Sequence, residues 1–383
     1  MAVFLGRQSG PFAVSMALAA YFLGVLIFAP LWGAVSDALG KRKVILVLSG
    51  FLSTLVLVTL LFNQGVVVSI LVRGLYGATV TGFSPIMLAL MSESGGKEGR
   101  GRSVGFFNSS RASGFAAGRF TAGFLVGLLV PKAVYAITLL IGLLSTLLAV
   151  MVEDPGGGHE ITWREVREEV KERVLVYRGK ASWLKESGLN WLYTAVALRH
   201  MTVKGIGSLL PVYITLRLNI AEPLMGMLLS INPVLQIVFM QLSGWLGDNL
   251  GRRPLIIAGT LGSGLFALMA SLASFSSNMS LRIALVGSSN AVLAAAFSGL
   301  STGASAFIGD VASLDTQSQL QGFRFMSVGI GGVLGPVLIG TLASIFSYRS
   351  SFILASLLAF VAALLVTLYV EETKPELDKE RFN

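Results

Sequence analysis

The sequence contains no cysteine and only two histidines, and 13% of its 383 residues are charged. The absence of cysteine excludes a disulfide scaffold, cysteine-ligated zinc, iron–sulfur clusters and cysteine nucleophiles. A soluble domain carries about 25% charged residues, so the charge present here is too sparse to cover a hydrated surface. These absences exclude a water-soluble enzyme.

Apolar residues are correspondingly abundant, at 54% of the chain. A helix that crosses a membrane needs about 20 mostly apolar residues. Eleven such runs, numbered here as the first to eleventh spans, are predicted at 12–35, 44–63, 66–91, 103–130, 133–152, 189–216, 223–246, 255–275, 281–308, 322–346 and 350–370. We therefore expect an all-α protein that crosses the lipid bilayer many times.

The placement of basic residues predicts the orientation of the chain. Most of the 29 lysines and arginines lie on the same side as the loop after the first span. Cytoplasmic loops are enriched in lysine and arginine, so this side and the C-terminus are predicted to be cytoplasmic, in the plasma membrane. Because topology explains the basic charge, we expect no nucleic-acid partner. The first ten residues also lack the pattern of a removable signal peptide.

The longest polar segment divides the chain into two halves. We predict a first half at 1–152, a cytoplasmic linker at 153–188, a second half at 189–370 and a cytoplasmic tail at 371–383. Within the linker, apolar residues recur at helical spacing between charged ones, which predicts an amphipathic helix at the membrane surface.

One motif occurs in both halves. Residues 33–42 (GAVSDALGKR) follow the first span, and residues 244–253 (GWLGDNLGRR) follow the seventh. Further along, Glu93 matches Asp310, and a Gly-x-x-x-Gly pair at 114 and 118 matches one at 331 and 335. Two matches in the same order predict a tandem duplication of a helical bundle.

The repeated motif, G-x-x-x-D-x-x-G-[RK]-[RK], resembles the signature of the major facilitator superfamily. Residues 73–77 (RGLYG) and 331–336 (GGVLGP) also resemble motifs of that family. The resemblance implies two six-helix bundles related by a pseudo-two-fold axis along the membrane normal. It further implies a monomer that carries a small-molecule substrate by alternating access, without enzymatic activity, cofactor or metal.

The first half is one helix short of this pattern, with five spans against six in the second half. We expect that the chain begins at the end of the family's first helix, with a start codon placed too far downstream. The eleven spans would then be the second to twelfth helices. A non-transporting sensor or a truncated remnant on the same scaffold is the alternative.

The resemblance implies that the repeated motifs form a gate on the cytoplasmic side. The alternative is a basic loop that sets topology, next to a capped helix. Glu93 and Asp310 are either partners of these loops or ordinary interfacial carboxylates. The motif residues assigned to the gate are Gly33, Asp37, Gly40, Lys41, Arg42, Gly244, Asp248, Gly251, Arg252 and Arg253.

Charged residues inside the spans point to a binding site, because each costs about 2.5–3.5 kcal/mol at the bilayer centre. The charges at mid-depth are basic, and every Asp and Glu lies in a loop, a tail or a span end. We predict a water-filled cavity suited to a carboxylate or phosphate; the alternatives are hydrogen bonds between helices and a drug or lipid efflux carrier. The candidate cavity residues are Arg111, Arg119, Arg199, His200, Lys204, Tyr21, Asn232 and Gln236.

Two residues are candidates for coupling transport to an energy source. Arg73 lies in the family's RGLYG-like motif. His200 has a side chain whose ordinary pKa of about 6.5 suits proton exchange. For both, the alternative is a purely structural role.

The gate hypothesis predicts that Asp37→Asn leaves folding and membrane insertion intact but severely reduces transport, because the amide lacks the charge that pairs with helix N-termini and arginines. Transport after reconstitution and protein abundance are the measurements. Near wild-type transport at normal abundance would contradict the gate.

Overall fold

The computed structural model describes residues 1–39, 42–62, 65–83, 86–87, 90–91, 96–153, 168, 188–312 and 317–373. These residues form eleven α-helices and no strand, which confirms the predicted all-α architecture and its number of helices. Nearly all of the predicted linker, including its amphipathic helix, lies outside the described residues. The helices are α1 (Ala2–Leu39), α2 (Arg42–Phe62), α3 (Val66–Val80), α4 (Gly96–Leu128), α5 (Pro131–Val150), α6 (Leu189–Val212), α7 (Glu222–Leu250), α8 (Arg252–Leu272), α9 (Met279–Val311), α10 (Gln317–Ile345) and α11 (Tyr348–Tyr369).

Eight of these helices are long and apolar enough to cross a membrane, namely α1, α2, α5 and α7 to α11. Helix α3 is apolar but shorter, at 15 residues. Among the described helices, α4 and α6 are the long ones that fall outside this set. Between them they carry four of the cations predicted to lie inside the membrane: Arg111, Arg119, Arg199 and Lys204.

Local sequence explains where several helices begin and bend. The side chain of Asn278 accepts a hydrogen bond of 2.9 Å from the backbone N–H of Ser280 and so caps α9. Pro131 begins α5, at a position where a missing N–H costs nothing. Gly10 interrupts the helical geometry of α1 with a φ of 74°. Gly251, with a φ of 104°, turns the chain between α7 and α8.

The outer surface of the bundle is apolar. Large side chains such as Leu140 and Leu144 on α5, and Leu357 and Leu364 on α11, are exposed. An apolar surface of this extent is unstable in water but matches the hydrocarbon of a bilayer. The exposed faces of these helices therefore face lipid.

The helices group into two halves that match the repeat. In the first half, α1 packs on α3 and α2 packs on α5; in the second, α7 packs on α9 and α8 packs on α11. Between the halves, α1 packs along α10 and α4 packs along α7. These two crossings are equivalent under the repeat, since α1 corresponds to α7 and α4 to α10.

The apolar cores of the described residues differ between the two ends of the bundle. The largest core cluster joins residues of both halves, including Val14 on α1, Leu209 on α6 and Ile339 on α10. We call this the closed end. At the opposite end, which holds the signature motifs and is called the loop end, each half has its own cluster: Leu46, Ile86, Leu90 in one, and Leu192, Ile256, Phe307 in the other.

Helices α1 and α3 approach to backbone contact through two glycines. A Cβ atom on Gly24 would lie 2.7 Å from the backbone nitrogen of Ala78, and one on Gly77 would lie 2.9 Å from the carbonyl carbon of Tyr21. Small residues at such crossings supply van der Waals contact where lipid removes the hydrophobic driving force.

This contact predicts that Gly77→Ala lowers the free energy of unfolding by about 1–3 kcal/mol, since backbone atoms cannot move aside for the new methyl group. The measurement is thermal denaturation of the purified protein in detergent. Gly207→Ala is the control, because a Cβ there meets nothing within 4 Å. Equal stability of the Gly77→Ala and Gly207→Ala variants would show that the α1–α3 crossing accommodates a methyl group.

Candidate functional site

At the closed end, polar side chains join α1 to the second half. Arg7 near the start of α1 forms an ion pair with Glu222, the first residue of α7. Further along α1, the hydroxyl oxygens of Ser15 and Ser208 lie 2.9 Å apart in the interior. Lipid offers no hydrogen-bonding partner, so these contacts hold the two halves together most effectively where they are buried.

The crossing of α4 and α7 is close because it is built on glycine. A Cβ on Gly226 would lie 2.8 Å from both the Cα of Gly123 and the carbonyl oxygen of Arg119. One turn further, Ser230 donates a 3.0 Å hydrogen bond to the carbonyl of Ala116. Arg119 in turn donates a 3.0 Å bond from Nη1 to the carbonyl of Leu229.

Beyond Ser230 the same face of α7 becomes exposed. Val234 and Val238 lie four and eight residues further along and are about half exposed, at 48% and 55%. Residues at this spacing share one face of a helix. Together with the separate core clusters at the loop end, their exposure indicates a cleft between the halves that opens toward the signature motifs.

Lys204 lies where the two halves meet above this cleft. Its Nζ is 5.0 Å from the ring centroid of Phe22 on α1, a cation–π contact between the halves. Arg199 precedes Lys204 by five residues on the same helix, α6, and Arg119 belongs to α4, whose crossing with α7 joins the halves. Two of the predicted cavity residues, Lys204 and Arg119, therefore contact the opposite half of the protein.

Arg199 is directed into the second half and is 1% exposed. Its Nε donates a 2.8 Å hydrogen bond to the hydroxyl of Ser263 on α8, and its guanidinium lies 5.7 Å from the ring of Phe297 on α9. Nη1 is 3.3 Å from Nε2 of His200. The Nδ1 of His200 is 2.8 Å from the carbonyl of Val196 and donates to it, so Nε2 accepts from Arg199.

Three more of the predicted cavity residues lie on α4 and α7. Asn232 is buried, and its side-chain oxygen accepts a 2.7 Å hydrogen bond from Gln236. Its side-chain nitrogen lies 3.5 Å from the carbonyl oxygen of Asn290, so Asn232 takes part in packing α7 on α9. Arg111 is exposed on α4.

The coupling candidate Arg73 belongs to the first half. Its guanidinium carbon lies 5.5 Å from the ring of Tyr21 and 6.0 Å from that of Tyr76. Tyr21, predicted to line the cavity, therefore contacts Arg73. Its ring also packs edge-on against Phe22, the residue that Lys204 contacts, with ring centroids 5.2 Å apart.

In the second half, the signature motif forms a network at the loop end. Arg252 donates from Nε to Asp310 at 2.8 Å and from Nη1 to the carbonyl of Gly247 at 2.7 Å. Its distance to Asp248 is longer, 3.4 Å, and the Asp248 side chain is 78% exposed. Asp310, rather than Asp248, is the main carboxylate partner of Arg252.

The N-terminus of α8 is capped by a carboxylate from the segment after the last helix. The carboxylate of Glu372 accepts hydrogen bonds from the backbone N–H groups of Arg252, at 2.8 Å, and Arg253, at 3.1 Å. Negative charge is favourable at a helix N-terminus. The absence of a side chain at Gly251 leaves room for this carboxylate.

The corresponding gate of the first half is only partly described. Gly33 lies on α1 and Arg42 begins α2. Gly40, Lys41 and Glu93 lie outside the described residues, and so does the side chain of Asp37.

The two halves also differ on the matched glycines of α4 and α10. Gly331 and Gly335 pack against His200 and Met201 of α6. A Cβ added to either of their repeat partners, Gly114 and Gly118, would meet no atom within 4 Å in the described part of the chain.

Several contacts were not anticipated from the sequence, chiefly those of Arg7, Glu222, Phe22, Ser263 and Glu372. Arg7 and Glu222 are opposite charges at the start of repeat-related helices, so their pairing could have been predicted from the sequence. Phe22 and Ser263 are ordinary residues of apolar helices, and their pairing with cations depends on how the helices are oriented.

These features define a helical membrane protein of two related bundles with a cation-bearing interface. A family model described as the Major Facilitator Superfamily matches residues 1–213 and matches again at residues 192–383. The chain belongs to the Major Facilitator Superfamily.

Relatives and solved structures agree with this assignment. An uncharacterized MFS-type transporter of Bacillus subtilis, YuxJ, is 25% identical over 89% of this chain and 84% of its own length. The class B tetracycline resistance protein of Escherichia coli is 31% identical, but over 47% of this chain and 44% of its own length. The nucleoside transporter NupG (TM-score 0.74, 11% identity, 97% of this chain and 94% of that one) and a D-xylose–proton symporter (0.69, 17%, 97% and 92%) share the fold.

The α4–α7 crossing predicts that Gly226→Ala separates the halves at the closed end, because the new methyl group meets backbone atoms of α4. Spin labels are attached through the substitutions Val130→Cys and Leu281→Cys, in a chain free of native cysteine. Double electron–electron resonance should then measure a longer distance between the two labels in the Gly226→Ala variant. Gly287→Ala is the control, since a Cβ there makes ordinary contacts at 3.4 Å and beyond. An unchanged distance in Gly226→Ala would contradict this role of the crossing.

Proposed function

We propose that the protein moves a small solute across the plasma membrane by alternating access and binds an anionic group of that solute beside Lys204 and Arg119. The observation that carries the proposal is the pair of cations at the junction of the two halves. In the described part of the chain, neither forms an ion pair with a carboxylate. An anionic group entering the cleft would supply the missing charge.

The distribution of lysine and arginine supports a cytoplasmic location for the loop end. The closed end then faces outward, and the cleft opens toward the cytoplasm. Closing the cleft would bring α4 and α7 together along Val234 and Val238 while the Arg7–Glu222 ion pair separates. In this cycle the halves of a monomer rock about the site, as expected of a two-repeat carrier.

The signature motifs suit a gate on the cytoplasmic side. Because Asp310 and the carbonyl of Gly247 hold Arg252, the exposed carboxylate of Asp248 is available to a partner in the first half when the cleft closes. Asp37 would act in the same way toward the second half. Arg73 and His200 remain our candidates for coupling, through contacts that are confined to one half in this conformation.

Drug efflux is a second candidate. Relatives of this chain include tetracycline resistance proteins and a multidrug resistance protein of Bacillus subtilis, each matched over about half of its length. In that case aromatic residues such as Phe22 would bind a flat apolar ligand and Lys204 a polar group on it.

The two candidates are separated by ligand-dependent stabilisation of the purified protein across carboxylates, phosphates, sugars and tetracycline-like drugs. For an anionic ligand, Lys204→Gln and Arg119→Gln should each weaken binding about 10- to 100-fold, because a hydrogen bond to a charged group contributes about 1.5–3 kcal/mol.

Arg349→Gln is the matched control, since Arg349 lies at the closed end over the ring of Phe275. Stabilisation by uncharged sugars alone would contradict the anionic proposal. A loss of binding in Arg349→Gln equal to that in Lys204→Gln and Arg119→Gln would also contradict it. Stabilisation by drugs that survives Lys204→Gln and Arg119→Gln would favour efflux of apolar ligands.

A further inference from the structure

Among the described residues, the guanidinium of Arg199 has one nitrogen without a partner. Nε bonds to Ser263 and Nη1 to His200, and the ring of Phe297 lies alongside. Nη2 is buried and makes no hydrogen bond within the described part of the chain. Ser263, His200 and Phe297 are all neutral, so the charge of Arg199 is hydrogen-bonded but not neutralised.

The surroundings add positive charge rather than remove it. His200 donates from Nδ1 to the carbonyl of Val196, which leaves its Nε2 lone pair as a neutral acceptor. Lys204 follows Arg199 by five residues on α6, so this stretch of the helix carries two cations. In the membrane-embedded part of the described chain, no carboxylate pairs with either residue.

A buried charge without a counter-charge is strongly unfavourable, and arginine cannot relieve this cost by losing its proton. Ser263 and His200 already hold the guanidinium plane in place from two sides. The unused N–H groups on Nη2 therefore mark the position at which a small negative group would be bound and desolvated.

We infer that the second half holds a buried site for one small anion at Nη2 of Arg199, enclosed by α6, α8 and α9. The site is distinct from the junction of Lys204 with Phe22, because all of its residues belong to the second half. Its occupant is a free inorganic anion such as chloride, or the carboxylate end of an organic solute.

The test uses the purified full chain in detergent at constant ionic strength. Chloride, bromide, nitrate or acetate replaces a bulky organic sulfonate that is too large for the site. At about 100 times its dissociation constant, an anion bound only by the folded state should raise the midpoint of thermal unfolding by about 3 °C. Arg199→Gln should abolish this rise.

Arg282→Gln is the matched control, because its guanidinium bonds to the carbonyls of Ser276 and Leu218 and leaves the site untouched. It should keep the full response to anions. A rise with chloride and bromide identifies a free inorganic anion, and a rise with acetate alone identifies a carboxylate group. Equal responses in Arg199→Gln and Arg282→Gln would overturn the inference.

Crystals of the wild-type protein grown in bromide give a readout that needs no variant. Anomalous density within hydrogen-bonding distance of Nη2 is expected. The absence of such density, together with a midpoint that no anion raises, would overturn the inference even if Arg199→Gln fails to fold. Neither measurement involves transport, so its outcome is independent of the proposed function.

Discussion

Each cation within the membrane-spanning helices must find its partners inside the protein, because hydrocarbon offers none. Arg119 uses a backbone carbonyl across the α4–α7 crossing, and Arg73 lies over two tyrosine rings. Lys204 reaches Phe22 across the two halves, whereas Arg199 turns inward to Ser263. Through these contacts the cations link the helices that carry them to neighbouring helices.

The interface between the halves differs between the closed end and the loop end. At the closed end, glycines bring α4 and α7 to backbone contact, and the shared apolar cluster excludes water. Toward the loop end the clusters separate, and Val234 and Val238 are exposed. Arg119 and Lys204 contact the opposite half between these two regions.

Duplication of the sequence does not produce duplicate environments. Asp37 and Asp248 occupy equivalent places in the repeat, but Glu372, which caps α8, belongs to the segment after the last helix. Likewise, Gly331 and Gly335 pack on α6, while the Cβ positions of Gly114 and Gly118 have no neighbour in the described chain. The motif predicts which residues recur, whereas their partners come from segments that have no counterpart among the described helices of the other half.

The sequence by itself determined the class of protein, the eleven helices and the two related halves, because apolar length and motif spacing are local properties of the chain. It also located the cations within the predicted spans. Only the tertiary structure decided that Lys204 lies at the junction of the halves, that Arg199 is enclosed in one of them, and that Asn232 packs on α9. The physical reason is that a partner across helices depends on their rotation and depth, and these are set by the packing of the whole bundle.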